Sequence, residues 1–171
     1  MRRRLLPDLW VESIAQLVPG RLRALGVCGV LLDVDNTLKE HAEANFGPDT
    51  TMWVRSLVDA GLAVCLVSNG RAQRIGGLAR ALEVEFVANA LKPSPRGCLR
   101  AARRLGIQPS RLVMVGDQVF ADILAGRLAG MATVLVTPRS SREPWFTRLK
   151  RPFEAWVLRH SAARARFEGA R

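Results

Sequence analysis

The chain has 171 residues and a mass of 18.8 kDa; 49% of it is hydrophobic and 24% charged. That length and balance predict one globular domain over residues 1–171 and exclude both a disordered chain and a small disulfide-held scaffold. Lys and Arg number 26 against 15 Asp and Glu, a net charge of +11, which admits three partners: nucleic acid, an anionic membrane surface or a negatively charged substrate.

The N-terminal Met1-Arg2-Arg3-Arg4 is basic, but Asp8 and Glu12 break up the residues after it, so no signal-type apolar run develops. No stretch of about 18 uncharged apolar residues occurs, which argues against a helical membrane span. Cys28, Cys65 and Cys98 are isolated, without metal spacing, and predict buried thiols in a reducing, cytoplasmic setting. Asp8 to Val18 carries Leu9, Trp10, Ile14, Leu17 and Val18 at helical spacing, predicting an amphipathic helix over 8–18.

Five apolar runs come next: Val27 to Leu32, Leu62 to Val67, Val84 to Ala88, Leu112 to Val115 and Thr133 to Val136. They are continuous rather than alternating, as strands buried on both faces require. Helical patterns separate them over Thr50 to Ala60, Ala72 to Leu82, Pro95 to Leu105 and Val119 to Leu128. This rhythm predicts an α/β fold: an open, mostly parallel, five-stranded sheet with helices on both faces. Near the C-terminus, Phe153, Trp156 and Val157 lie among arginines, predicting a second amphipathic basic helix over 152–167. Both terminal helices either pack on the sheet or meet a lipid surface or partner.

Ligands of such sheets bind beyond the carboxyl ends of the strands. Three runs end there in polar groups: Asp33 with Asp35, Ser68 with Asn69, and Asp117. Lys92 comes after the third run, and it is one of three lysines in a chain that otherwise uses arginine. Carboxylates, a hydroxyl and an ammonium on one edge suit magnesium-assisted phosphoryl transfer, because hard oxygens bind Mg²⁺ and a compact cation holds phosphoryl oxygens. Taken singly, Asp33 or Asp35 could be a turn carboxylate, Asp122 could face solvent, and Thr37 or Asn69 could merely shape a loop.

Together the motifs resemble the haloacid dehalogenase superfamily. Asp33-Val34-Asp35-Asn36-Thr37-Leu38 resembles its DxDxT nucleophile loop, Val67-Ser68-Asn69-Gly70 its second motif, Lys92-Pro93 its third, and Gly116-Asp117 through Asp122 its GDxxxxD acidic motif. The GDQ form and the DNTL loop resemble the YqeG-type branch, class IIIA, which includes phosphatidylglycerophosphate phosphatases. Gly70 stands where that branch commonly has Asn, and Ala121 where it often has Thr.

The resemblance implies a Rossmann-like fold with strand order 3-2-1-4-5. It implies Asp33 as nucleophile and Asp35 as general acid and base. Ser68, Asn69, Lys92 and Thr37 are implied around the phosphoryl group. Asp33, Asp117 and the Asp35 carbonyl are implied as Mg²⁺ ligands, with Asp122 ordering water or serving as an alternative ligand. Lys39 to Asp49 and Gly70 to Leu91 are too short for a cap domain. An uncapped site favours a large substrate as its own cover. The leading expectation is therefore a lipid-borne phosphomonoester, phosphatidylglycerophosphate, met at the inner face of an anionic membrane. Alternatives are a small phosphate ester, a nucleic-acid 3′-phosphate, or a non-catalytic domain that binds protein or RNA.

Overall fold

The computed structural model describes residues 5–40 and 43–138. The segment 152–167, expected to be helical, lies outside the described residues. Six parallel strands form one sheet: β1 (Leu9–Val11), β2 (Gly29–Leu32), β3 (Ala63–Val67), β4 (Glu85–Val87), β5 (Leu112–Gly116) and β6 (Ala132–Val136). Their order is β1-β6-β5-β2-β3-β4. The five strands read from the apolar runs are all present in the order implied, and a sixth is added at one edge.

The helices are α1 (Pro19–Ala24), α2 (Pro48–Asp59), α3 (Ala72–Leu82), α4 (Arg96–Leu105) and α5 (Leu124–Leu128). Alternate strand residues face opposite sides of the sheet. Leu32, Leu66 and Val115 pack with Val54 and Leu57 of α2 and Ile75 and Leu78 of α3. Leu31, Cys65 and Met114 pack instead with Cys98 and Ala101 of α4 and Ala125 of α5. Both faces of the central strands are thus covered, which is why their sequences run apolar without alternation. Burial pushes the Cys65 and Cys98 thiols up to about 12 and about 11, so both remain protonated structural side chains.

The expected helix over 8–18 is corrected. Leu9, Trp10 and Val11 pair with Val134, Leu135 and Val136 of β6, Ser13 caps a short 3₁₀ turn over Ile14–Gln16, and α1 begins only at Pro19. The free edge of β6 offers a ladder of backbone partners, whereas a short helix must bear its own nucleation cost. Asp8 locks the register: its carboxylate accepts from the Thr133 backbone N–H at 2.9 Å and from Arg127 Nη2 at 2.8 Å. Trp10, expected on the apolar face of that helix, is 52% exposed on this edge strand. The expected helix over Val119 to Leu128 also divides. Val119–Ile123 winds as a wider π-helical turn before α5 starts.

Strand order reverses between β2 and β5. The chain builds outward from β2 to β3 and β4 on one side, and through β5 to β6 on the other. The crevice beyond their carboxyl ends is where such sheets bind ligands. Asp33 leaves β2 at this crevice and Asp117 leaves β5.

Candidate active site

The loop after β2 folds back at once. Leu38 N donates to Val34 O at 3.0 Å and Asn36 N to Lys39 O at 2.7 Å. Asn36 takes a left-handed conformation, φ 61°, which Asn tolerates better than most side chains. This tight turn buries Asp33 and Thr37 on the inside and leaves Asp35 half-buried at the rim.

The third-motif loop reaches the same place from β4. Asn69 holds it with two hydrogen bonds, accepting from Lys92 N at 2.8 Å and donating through Nδ2 to Lys92 O at 3.1 Å. The Ser68 hydroxyl accepts from Gly70 N at 3.0 Å and is buried. Lys92 Nζ then lies 2.5 Å from Asp33 Oδ1 and 2.6 Å from Asp122 Oδ1, and donates to Val67 O at 2.8 Å.

Asp122 reaches the cluster through the π-helical turn. Its Oδ2 accepts from Gln118 N at 3.0 Å, and its carboxyl group lies against Gly116. A Cβ on Gly116 would stand 2.3 Å from Asp122 Cγ, closer than any side chain can approach. Gly116→Ala is therefore expected to push Asp122 out and to weaken divalent-cation affinity by about 10- to 100-fold, as losses of supporting groups around metal sites do. Isothermal titration with Mg²⁺ checks this; unchanged affinity with an intact fold would remove Asp122 from the site.

Asp33, Asp117 and Asp122 each present a carboxylate oxygen within 4.8 Å of the others, and all three are buried. The set is all-oxygen and anionic, the donor chemistry of a hard divalent cation, so the residues fit such an ion. Thr37 Oγ1 bridges two of them, 3.4 Å from Asp33 Oδ2 and 3.3 Å from Asp117 Oδ1. One hydroxyl proton serves one carboxylate at a time, so this is a shared contact rather than two full bonds.

The charge count is three carboxylates against one ammonium. Burial pushes Asp33 up to about 7; Lys92 pulls it down, while Asp122 and Asp35 push it further up. Lys92 moves the other way from what burial favours, because Asp122 and Asp33 together hold its ammonium form. The two directions agree: the cluster carries one strongly held cation and a surplus of negative charge.

Asp35 stands apart from the three-carboxylate group. Its Oδ1 accepts from Arg74 Nη1 at 2.9 Å, its Oδ2 accepts from Arg74 Nη2, and Lys39 Nζ lies 3.8 Å from Oδ1. Lys39 is only 1% exposed, and burial lowers its affinity for a proton. Neither cation is singled out by the sequence motifs. Lys39 shares with Lys92 the signal of being a lysine in an arginine-rich chain; Arg74 had no signal among so many arginines. A groove of about 230 Å³ opens nearby, walled by Glu12, Ser13, Asp49, Trp53 and Thr137. Among the site residues only Thr37 lines it, so it lies beside the carboxylate cluster.

A family model described as HAD-hydrolase-like matches residues 89–155. The probable phosphatase YqeG of Bacillus subtilis is 33% identical over 153 residues, covering 90% of this chain and 89% of that protein. The chloroplastic phosphatidylglycerophosphate phosphatase 1 of Chlamydomonas reinhardtii is 30% identical, covering 90% of this chain and 61% of that protein. Its chloroplastic/mitochondrial counterpart in Arabidopsis thaliana is 30% identical, over 92% of this chain and 48% of that one. Among solved structures, the cobalt-bound deoxy-D-mannose-octulosonate 8-phosphate phosphatase of Haemophilus influenzae matches with a TM-score of 0.54 at 16% identity, covering 81% of this chain and 90% of that one. At that identity the likeness is one of fold.

Proposed function

The chain belongs to the YqeG-type phosphatases of the haloacid dehalogenase superfamily, and on that premise we propose that it hydrolyses a lipid-borne phosphomonoester, phosphatidylglycerophosphate, with Mg²⁺ and through an aspartyl-phosphate. The observation that carries the reading is convergence. Loops from β2, β4 and β5 deliver Asp33, Lys92, Asp117 and Asp122 into one buried cluster, with Lys92 Nζ 2.5 Å from Asp33 Oδ1. A structural ion pair needs one carboxylate for its lysine; three point to a bound cation.

Asp33 is the nucleophile. Its carboxylate oxygen forms a bond to phosphorus as the bond to the leaving oxygen breaks, which divides one hard displacement into two easier ones. Asp35, two residues along the same turn, gives a proton to the leaving oxygen and afterwards takes one from the water that hydrolyses the acyl phosphate. Lys92 and Ser68 hold the phosphoryl oxygens, and Asn69 acts through Lys92 by clamping its backbone. Thr37 keeps the Asp33 and Asp117 carboxylates together. Asp33, Asp117, Asp122 and the Asp35 carbonyl would hold Mg²⁺, which supplies neutralisation of the carboxylates and of the phosphoryl charge.

Two features support a lipid-borne substrate. The two phosphatidylglycerophosphate phosphatases align over nine-tenths of this chain, and the net charge of +11 favours an anionic surface, each cation near such a surface contributing about 1 kcal/mol. Among the described residues no helix is long and apolar enough to cross a membrane. Neither the β2–α2 connection nor the α3–β4 connection carries a cap among the described residues, which leaves room for a bilayer-held headgroup.

A substrate panel on the purified full chain tests this. Phosphatidylglycerophosphate vesicles, a 3′-phosphorylated oligonucleotide and common sugar phosphates are each assayed with Mg²⁺ and with EDTA. Fastest turnover of the vesicles, abolished by EDTA, is expected. No turnover of the vesicles beside good turnover of a sugar or nucleic-acid phosphate would overturn the lipid assignment.

A further inference from the structure

Asp35 is held between two cations from different parts of the chain, Lys39 and Arg74. Arg74 grips both of its oxygens and Lys39 lies 3.8 Å away, so two cations face this carboxylate. The two cations differ in access. Lys39 is sealed in, whereas the Arg74 side chain is 40% exposed.

The guanidinium also has a defined seat. A Cβ on Gly70 would lie 2.9 Å from Arg74 Nη2, so the side chain rests over the backbone of the Ser68–Gly70 turn. From there it reaches from the second-motif loop across to Asp35. Any group attached to the leaving oxygen passes this point, because Asp35 is the residue that serves that oxygen.

A planar guanidinium binds carboxylate and phosphate oxygens with the same two-pronged geometry, so exchanging one for the other loses little. We propose that Arg74 recognises a second anionic group on the substrate, a phosphodiester next to the leaving alcohol, by releasing Asp35 and pairing with that group instead. The inference rests on the reading of Asp35 as proton donor and goes beyond it. The exchange couples recognition to chemistry. A phosphodiester draws Arg74 away and uncovers both Asp35 oxygens, while Lys39 stays behind and keeps the carboxylate in position. An ester with a single phosphate gives Arg74 no second partner and leaves Asp35 covered.

The test uses two soluble esters that share a glycerol phosphomonoester and differ in the phosphodiester carried by the departing alcohol, which removes the membrane from the comparison. Glycerophosphoglycerol phosphate, the deacylated headgroup, carries one diester and one monoester; glycerol 3-phosphate carries the monoester alone. With Mg²⁺, Arg74→Gln is expected to lower kcat/KM for the diester-bearing compound at least about tenfold more than for glycerol 3-phosphate, the scale of one charge-assisted pair. Arg74→Lys should recover part of that ratio, since it restores charge without the fork. An equal fall for both esters would show a structural role and overturn the proposal, and so would no change in either. Asp33→Asn is run alongside. Retained turnover in that variant defeats the phosphatase mechanism itself, whereas Asp33-dependent turnover with an unchanged ratio defeats only the role of Arg74.

Discussion

Replacing Asp33 with Asn is expected to reduce phosphomonoester turnover on the order of 10³-fold or more while making the cation-free protein harder to melt at pH 8. The two effects have one cause. Asp33 is a buried carboxylate beside two others, and burial raises it to about 7 from an ordinary 3.8. Above about pH 4 the unfolded chain has released this proton while the folded chain retains it. Ionisation therefore opposes folding as pH climbs from about 4 to about 7, and the loss is complete above that. Lys92 adds no slope in this window, because it is protonated in both states throughout. Asn keeps the shape without the charge. Thermal melts in EDTA at pH 5 and pH 8 should show the wild-type midpoint falling with pH, and Asp33→Asn should remove on the order of 5 °C of that fall. Mg²⁺ at pH 8 should raise the wild-type midpoint and have less effect on the variant. An equal fall in both proteins would mean that Asp33 does not carry the surplus charge.

Lys92→Met should do the reverse to stability. It takes the ammonium from Asp33 and Asp122, 2.5 and 2.6 Å away, and leaves two carboxylates buried without it. Breaking a buried pair on one side costs about 3–5 kcal/mol, much of it the desolvation of what remains. The cation-free variant should therefore melt far below wild type, and millimolar Mg²⁺ should recover part of the difference by supplying positive charge. Turnover should fall about 10²- to 10³-fold even where the fold is recovered, because in the proposed mechanism the phosphoryl oxygens lose their cationic partner. If Lys92→Met fails to fold, the double variant Lys92→Met with Asp122→Asn should restore folding, since it removes charge from both sides. Unchanged melting in Lys92→Met would contradict the buried cluster.

Each of these effects exchanges stability for chemistry. Three carboxylates and a lysine in the crevice of a parallel sheet are a poor choice for a stable core. The cluster persists because the central sheet is covered on both faces and β2 and β5, from which its three carboxylates come, are fully buried. Gly116, directly before Asp117, belongs to the same compromise: the missing Cβ gives Asp122 its place.

Much of this is legible in the sequence alone. Strands β2, β3, β5 and β6 appear as apolar runs because both their faces are buried, and burial on two faces writes a pattern that needs no partner to be read. The site motifs are legible for a related reason. Asp33, Ser68 and Asp117 each come directly after a strand, and a parallel sheet sends all such positions to one edge. The tertiary structure alone decided the rest. Leu9–Val11 became a strand because the edge of β6 was open, a fact about residues more than a hundred positions away. The spacing of Asp122 allowed a solvent-facing residue; the π-helical turn and the gap above Gly116 brought it onto Lys92. Arg74 pairs with Asp35 across 39 positions, one arginine among many, and no local pattern singles it out. Periodicity encodes what a residue does along its own element, whereas a contact between elements depends on which surfaces the finished fold brings together.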